Sequence, residues 1–94
     1  MSKKMDDEKK LYFLREEIDT IDSEIITLLE SRLKLTNEVG KIKEKINKTF
    51  QDIKREEDIL ARIESMETKY PKEELKSLFR QIMSTSLSKQ IENE

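Results

Sequence analysis

The chain has 94 residues, of which 43% are charged and 34% hydrophobic, and a formal net charge of −2. This length allows one small domain, and the low apolar content leaves one protomer little surface to bury, so a large solitary core is excluded and association is expected. One glycine, one proline and no tryptophan are too few turn residues for a many-stranded sandwich or barrel, so the sequence predicts an all-helical protein.

The first predicted element is a single long helix from about Asp7 to Ile46. Its apolar residues recur at alternating steps of three and four, which is the seam of a heptad repeat. They are Leu11, Leu14, Ile18, Ile21, Ile25, Leu28, Leu35, Val39, Ile42 and Ile46. At 1.5 Å per residue this helix would be about 60 Å long, against a diameter of about 25 Å for a compact domain of this size. It must therefore pack against another chain.

A second, shorter helix is predicted from about Asp52 to Lys69. Residues 47–51 interrupt the periodicity before it, and the side-chain oxygen of either Thr49 or Asp52 can cap its free backbone N–H groups. Pro71 ends this helix, because the residue before a proline is disfavoured in the helical conformation.

The third predicted helix opens at Pro71, since proline is favoured in the first turn, and runs to about Ile91. Its apolar stripe ends in Ser86 and Gln90, two polar residues at positions that the helical period assigns to the interior. All 94 residues are thus predicted to form one domain, and its ends, residues 1–6 and 92–94, are expected to fray.

Polar or charged residues lie on or beside the predicted buried faces, and they are Arg32, Lys43, Glu56, Ser86 and Gln90. Burying a charge is costly unless the group is paired or bound to a ligand. Arg32 and Lys43 lie about 16 Å apart along the first helix and nearly in phase, so both can reach one small anionic ligand. Arg15 lies about 42 Å from Lys43 along the same helix and can join them only from a second chain.

These residues also have purely structural explanations when taken one at a time. Arg32 can form an ion pair with Glu56, and Asp52 can be a helix cap with no further role. Gln90 can be a residue at a helix end. Gly40, in the interior of the first helix, marks either a close packing contact or the approach of a ligand.

Cysteine and histidine are both absent from the sequence, which excludes disulfides, thiolate nucleophiles, imidazole bases and the usual zinc sites. No apolar run approaches the roughly 20 residues of a membrane span, and the start of the chain has no apolar core of a signal peptide. Charges of both signs are interleaved, whereas a nucleic-acid surface would show a basic face. We therefore expect a cytoplasmic protein that binds neither nucleic acid nor membrane.

The three predicted helices carry an ordered set of motifs. These are Leu14–Asp22, Leu28–Arg32 and Val39–Lys43 in the first helix, Asp52–Glu56 at the start of the second, and Leu78-Phe79 followed by Ser86 and Gln90 in the third. In this order and spacing the set resembles the all-helical chorismate mutases, which rearrange chorismate to prephenate on the route to phenylalanine and tyrosine. The resemblance covers nearly the whole chain, and the ordered set is more specific than any single motif.

The resemblance implies a role for each cation and for the donor at the end of the third helix. Arg32, together with Arg15 of the partner protomer, would bind the two carboxylates of the substrate. Lys43 would contact a carboxylate and the ether oxygen. Gln90 would donate a hydrogen bond to the same ether oxygen.

The resemblance assigns the rest of the site to the second and third helices. Glu56 and the backbone at Asp52 would hold the ring hydroxyl of the substrate. Ser86 would lie near the ring carboxylate, and Arg55 would add positive charge. The apolar walls would be Val39, Ile59, Met83 and Leu87.

The resemblance thus implies a chorismate mutase without cofactor or metal, built as an intertwined homodimer of three-helix protomers with two shared active sites. A pericyclic rearrangement needs no nucleophile or proton shuttle, so positioning and electrostatic stabilisation suffice. The alternatives are an isochorismate-pyruvate lyase-like enzyme, a non-catalytic regulatory domain of a shikimate-pathway enzyme, or a coiled-coil scaffold. Asp52, Arg55, Glu56 and Gln90 together favour the mutase. Association or fusion with another shikimate-pathway enzyme stays open.

Overall fold

The computed structural model describes residues 3–92 of the chain. It contains three helices, α1 (Lys3–Lys45), α2 (Ile53–Ser65) and α3 (Lys72–Glu92). No strand occurs among the described residues. The prediction of an all-helical chain with one long and two shorter helices is confirmed.

The helix α1 begins at Lys3, ahead of the predicted Asp7, and ends at Lys45. Asn47 ends it by adopting a left-handed conformation with φ 58°. The Lys48 N–H donates to the Lys43 carbonyl at 2.8 Å and the Asn47 N–H to the Glu44 carbonyl at 3.3 Å. This pair of bonds is a Schellman motif, with asparagine at the position usually held by glycine.

The helix α2 starts at its cap and ends earlier than predicted. Asp52 Oδ1 accepts the Arg55 N–H at 2.9 Å, so Asp52 rather than Thr49 is the N-cap. The prediction that α2 extends to Lys69 is wrong, because the backbone of Met66 turns extended (φ −74°, ψ 137°) and ends the helix after Ser65. Lys72 Nζ then donates to the carbonyl of Glu64 at 2.7 Å, which satisfies one of the carbonyls left free at a helix end.

The helix α3 begins at Lys72 and continues to Glu92. Pro71 directly precedes it and its carbonyl accepts the Leu75 N–H at 3.0 Å. Residues 1–2 and 93–94, part of the ends expected to fray, lie outside the described residues. Residues 3–6 are helical, and the fraying itself stays a prediction.

The chain divides into two compact units, Met1–Arg32 and Leu33–Glu94. The first unit is the N-terminal part of α1, and its described side chains are exposed from residue 6 to residue 31. The apolar seam in this unit is therefore open to solvent, with exposed fractions from 48% at Leu11 to 68% at Leu28.

The second unit contains the buried core of the chain. Here α2 packs against α3, and Ile59 and Ile63 are 9% and 4% exposed. Ser86 and Gln90, each 8% exposed, are buried as the helical period predicted. Among the described residues, no helix is long and apolar enough to span a membrane.

Candidate active site

The side chain of Gln90 joins the last part of α3 to α1 within the second unit. Its amide Nε2 donates to the backbone carbonyl of Thr36 at 2.7 Å. A glutamine amide has two N–H donors and one oxygen acceptor, so one donor and the oxygen are not used by this bond. Gln90 is thus held in a defined orientation and retains a hydrogen-bond donor.

The backbone of α1 approaches Gln90 at Gly40, which is buried. A Cβ atom built on Gly40 would lie 2.8 Å from Gln90 Cγ, 3.2 Å from its Cβ and 3.3 Å from its Cδ. A contact of 2.8 Å is shorter than carbon atoms tolerate, since their optimal separation is about 3.5–4.0 Å. Of the two explanations for this glycine, the structure supports the close packing contact.

Lys43, in the last turn of α1, is half-buried. Its Nζ donates to the carbonyl of Phe50, in the connection to α2, at 2.8 Å. An ammonium group has three N–H donors, so two are not used by this bond. Lys43 and Gln90 therefore share one feature, since each is held by a backbone carbonyl and keeps further donor capacity.

The remaining polar residues of the predicted site are divided between buried and exposed positions. Ser86 is buried, and its Oγ donates to the Ile82 carbonyl one turn earlier at 3.0 Å. Glu56 is half-buried in the first turn of α2. The carboxylate of Asp52 is used as the helix cap, and Arg55 is exposed.

An open cavity of about 260 Å³ lies against α2 and α3. It is lined by Gln51, Glu56, Leu60, Arg80, Met83, Ser84 and Leu87. Glu56, Met83 and Leu87 are predicted site residues, so the structure brings one predicted carboxylate and two predicted wall residues together around this space.

Arg80 is the cation in this cavity, and neither a motif nor a predicted buried position marked it as a site residue. Its spacing of three residues from Met83 and seven from Leu87 puts the three on one face of α3, so the signal was present in the sequence. Arg80 is exposed, and a charge at such a position is usually a solvated residue of an amphipathic helix.

The other two predicted wall residues have different surroundings. Ile59 is 9% exposed and belongs to the buried core, and it does not line the cavity beside Glu56. Val39, on α1, is 45% exposed. The exposed Val39 is available for contact with another molecule.

The two predicted carboxylate-binding arginines belong to the first unit of the chain. Arg15 is exposed on α1, and Arg32, the last residue of this unit, is half-buried. Lys43 and Gln90, with the carbonyls that hold them, belong to the second unit. Within the described part of the chain, no group of three or more Asp and Glu side chains is arranged to hold a metal ion.

An ion-pair cluster joins the end of α2 to the start of α3. Lys76 Nζ lies 2.8 Å from Glu64 Oε2 and 2.9 Å from Glu73 Oε1. The hydrogen bond that Lys76 donates to Glu64 lowers the pKa of the Glu64 carboxyl, and the bonds that Lys76 donates to Glu64 and Glu73 raise the pKa of Lys76. This cluster supports the α2–α3 packing that carries Glu56 and Gln90.

Comparison with known protein sequences identifies relatives of this chain. A bifunctional chorismate mutase/prephenate dehydratase of Aquifex aeolicus (strain VF5) is 38% identical in an alignment of 85 residues, and the alignment covers 85% of this chain and 24% of that protein. A protein of the same name in Escherichia coli (strain K12) is 41% identical over 59 residues, 63% of this chain and 15% of that protein. The chain thus spans about a quarter or less of the length of these relatives.

Comparison with solved structures agrees with the sequence comparison. The structure of chorismate mutase (Form II) from Thermus thermophilus has a TM-score of 0.81 and 32% sequence identity, covering 86% of this chain and 93% of that chain. The model of the chorismate mutase type II family matches residues 14–91. The chain therefore belongs to the chorismate mutase type II family and forms a chorismate mutase domain, as the order of its motifs predicted.

Proposed function

We propose that this chain catalyses the rearrangement of chorismate to prephenate as a homodimer with two composite active sites. The observation that carries the proposal is the family match over residues 14–91. Every predicted site residue lies inside this range, from Arg15 to Gln90. The relatives named above are themselves chorismate mutases or bifunctional proteins with a chorismate mutase part.

The proposed mechanism needs two donors aimed at the ether oxygen of chorismate. As the C–O bond breaks and the new C–C bond forms, negative charge grows on this oxygen, and preorganised donors stabilise that charge. Lys43 and Gln90 would supply them. The support for this assignment is that each side chain is already held by one backbone carbonyl and still has an N–H to offer.

Substrate binding in the proposed site depends on cations from both protomers. Arg32 and Arg15 of the partner protomer would bind the two carboxylates and select the reactive conformer of chorismate. Arg55 would add positive charge. This binding lowers the energy of substrate and transition state alike, whereas the donors at the ether oxygen act mainly in the transition state.

The ring of the substrate would be bound by residues of α2 and α3. Glu56 and the backbone at Asp52 would hold the ring hydroxyl, and Ser86 would lie near the ring carboxylate. The proposed apolar walls are Val39, Ile59, Met83 and Leu87. Arg80 is outside this assignment, although it lines the cavity beside Glu56.

The exposed seam of α1 supports the proposed homodimer. An isolated helix of about 30 residues has little stability in water unless its apolar face packs against something. In the first unit the seam residues Leu14, Ile18 and Ile21 are 55%, 54% and 53% exposed. A second copy of the same helix presents a complementary seam, and most soluble homo-oligomers are symmetric dimers.

The test of the proposed activity is a product assay with the purified full chain. Chorismate is supplied, its loss is followed, and the product is identified as prephenate or pyruvate. Prephenate is the expected product. Accumulation of pyruvate would support the isochorismate-pyruvate lyase-like alternative, and unchanged chorismate would support a non-catalytic domain.

The composite sites are tested by mixing two defective chains. When Arg15→Ala and Arg32→Ala chains are co-expressed, one site of each mixed dimer keeps both arginines and the other loses both. Each variant alone should be weak, and the mixture should regain activity. No gain in a sample whose mixed dimers have been verified would contradict sites shared between protomers.

The bifunctional relatives support a further part of the proposal. Their prephenate dehydratase function would consume the product of this chain, so we propose that the domain works in association with, or fused to, an enzyme of the same pathway in the cytoplasm. Co-purification of a prephenate-consuming activity with the full natural protein is the expected result.

A further inference from the structure

Gly40 is the single glycine of the chain, and it lies in the interior of the longest helix. Glycine destabilises the interior of a helix relative to alanine because it loses more backbone freedom on folding. Its φ is not positive, so the backbone conformation does not require it. The reason for this glycine must be the space that a side chain would occupy.

That space is filled by the side chain of Gln90. The built Cβ of Gly40 comes within 2.8 Å of Gln90 Cγ and 3.2 Å of Gln90 Cβ. The Gln90 Cβ is attached to the backbone of α3, so a rotation of the glutamine side chain cannot by itself relieve both contacts. Any side chain at position 40 must displace Gln90.

The Thr36 carbonyl, one turn before Gly40 on α1, accepts the amide of Gln90 at 2.7 Å. This bond distinguishes the two ends of the amide, because a flipped amide would direct its oxygen at the carbonyl oxygen. The amide nitrogen is thereby fixed toward α1, and its second N–H has a defined direction.

We propose that Gly40 is a positioning residue for Gln90. Its lack of a side chain lets the Gln90 amide reach the Thr36 carbonyl, and that bond directs the second N–H of the amide toward the substrate. The inference rests on the proposed function in that Gln90 acts as the donor to the ether oxygen. Gly40 itself touches no substrate and acts only through Gln90.

The test is a double-mutant cycle of Gly40→Ala, Gln90→Ala and the combined variant, with Lys41→Ala as the matched control. Lys41 is the exposed neighbour of Gly40 on the same helix, so its truncation should leave kinetics and Tm nearly unchanged. Loss of a preorganised donor lowers kcat by about 100- to 1000-fold, so Gln90→Ala is expected in that range. Gly40→Ala, which misplaces the same donor, should lower kcat about tenfold or more with a smaller change in KM.

The decisive measurements are kcat and Tm of the combined variant. Because Gln90→Ala removes the Cγ and Cδ atoms that the new Cβ meets, Gly40→Ala should cause no further fall in kcat in that background. Gly40→Ala should also lower Tm more in the presence of Gln90 than in its absence, where only the 3.2 Å contact with the retained Cβ remains. If the two kinetic effects multiply, or if Gly40→Ala lowers Tm equally in both backgrounds, the proposal is overturned.

Two results separate this inference from the proposed function. If Gly40→Ala fails to fold, Gln90→Ala should restore folding, and a combined variant that also fails would contradict the contact. If the unmodified chain does not convert chorismate, the proposed function fails. In that case the Tm values of the same variants still test the contact between Gly40 and Gln90. An unchanged Tm in Gly40→Ala would refute that contact.

Discussion

The described residues of the two units differ in burial, because buried apolar side chains occur only in the second unit. In Met1–Arg32 the seam residue Ile21 is 53% exposed, whereas in Leu33–Glu94 the core residue Ile63 is 4% exposed. Both residues lie on apolar stripes with helical spacing. An apolar stripe therefore shows that a helix needs a packing partner, while only burial shows whether the chain itself supplies that partner.

The same comparison separates the functional groups that were predicted together. The second unit contains the two proposed donors, Lys43 and Gln90, each bonded to a backbone carbonyl. The first unit contributes Arg15, which is exposed on a helix with an open seam. The proposed composite site would couple catalysis to association, since Arg15 would come from the partner protomer.

The largest effect is expected from breaking the seam of the first unit with Ile21→Asp. Burying an isoleucine contributes about 1.5–3 kcal/mol, and a symmetric dimer loses this contribution at two positions while gaining two unpaired charges. The variant should lose the proposed dimer, much of its helix content and its activity. Light scattering and circular dichroism measure these changes.

The matched control for the seam is Ser23→Asp, which adds the same charge to an exposed position of α1 off the heptad seam. This control should remain dimeric and active. An Ile21→Asp chain that stays dimeric would show that the exposed seam of the first unit is not the interface.

A smaller but still large effect is expected from Lys43→Met in the second unit. The substitution keeps the apolar stem and removes the charge, so it should lower kcat/KM about 1000-fold, or about 4 kcal/mol, mostly through kcat. Helix content should be unchanged. Steady-state kinetics and circular dichroism are the measurements, with Lys41→Met as the control at an exposed position. Normal turnover with a lowered Tm would instead indicate that Lys43 serves only to hold the Phe50 carbonyl.

An intermediate and pH-dependent effect is expected from Gln90→Glu. An ionised carboxylate cannot donate a hydrogen bond, and it would repel both the growing charge on the ether oxygen and the Thr36 carbonyl. Activity should therefore fall about 100-fold near pH 7 and rise as pH falls through the pKa of the new carboxyl. The unmodified chain should lack this acid-side rise.

The control for this pH profile is Gln81→Glu, at an exposed position of the same helix. It should follow the profile of the unmodified chain. If Gln90→Glu did the same at full activity, Gln90 would not be the donor to the ether oxygen.

The smallest effect is expected from Glu64→Gln, which weakens the cluster between α2 and α3. In the folded chain the hydrogen bond that Lys76 donates lowers the pKa of Glu64. The stabilisation of the folded chain by this bond is therefore complete above the ordinary glutamate value of 4.5, and it is lost as pH falls through the lowered pKa. The variant should have a slightly lower Tm at neutral pH, and this difference should vanish in acid.

Added salt and a substitution at a neighbouring position are the controls for the ion-pair cluster of Lys76, Glu64 and Glu73. Glu64 is 61% exposed, so added salt should reduce the Tm difference. Glu67→Gln, at an exposed position in the connection after α2, should show no such pH dependence. A Tm difference that persists at low pH would assign the effect to packing rather than to the ion pair.

Local signals in the sequence predicted the helices better than their ends. The predicted end of α2 at Lys69 rested on Pro71, which restricts only the residue before it. The extended backbone of Met66 ends the helix earlier, and the bond from Lys72 to the Glu64 carbonyl joins residues that no local rule connects. Helix boundaries depend on such bonds as well as on helical propensity.

The burial of polar residues was predicted correctly where periodicity marked a conflict. Ser86 and Gln90 are polar residues at core positions, and both are buried. Arg80 has no such conflict, because an exposed arginine is normal on a helix, and its place in the cavity with Glu56 depends on how α2 and α3 pack. A charged residue on an exposed helix face therefore gives no sign in the sequence that it belongs to a site.

The sequence by itself determined the helical class, the order of the three helices and the family, because these depend on spacing within a few turns and on the order of motifs along the chain. Only the tertiary structure decided what Gln90 and Gly40 contact. The Thr36 carbonyl is 54 residues from Gln90 along the chain, and the 2.8 Å approach at Gly40 is set by the distance between α1 and α3. No local pattern encodes a distance between two helices, since it results from the packing of the whole second unit.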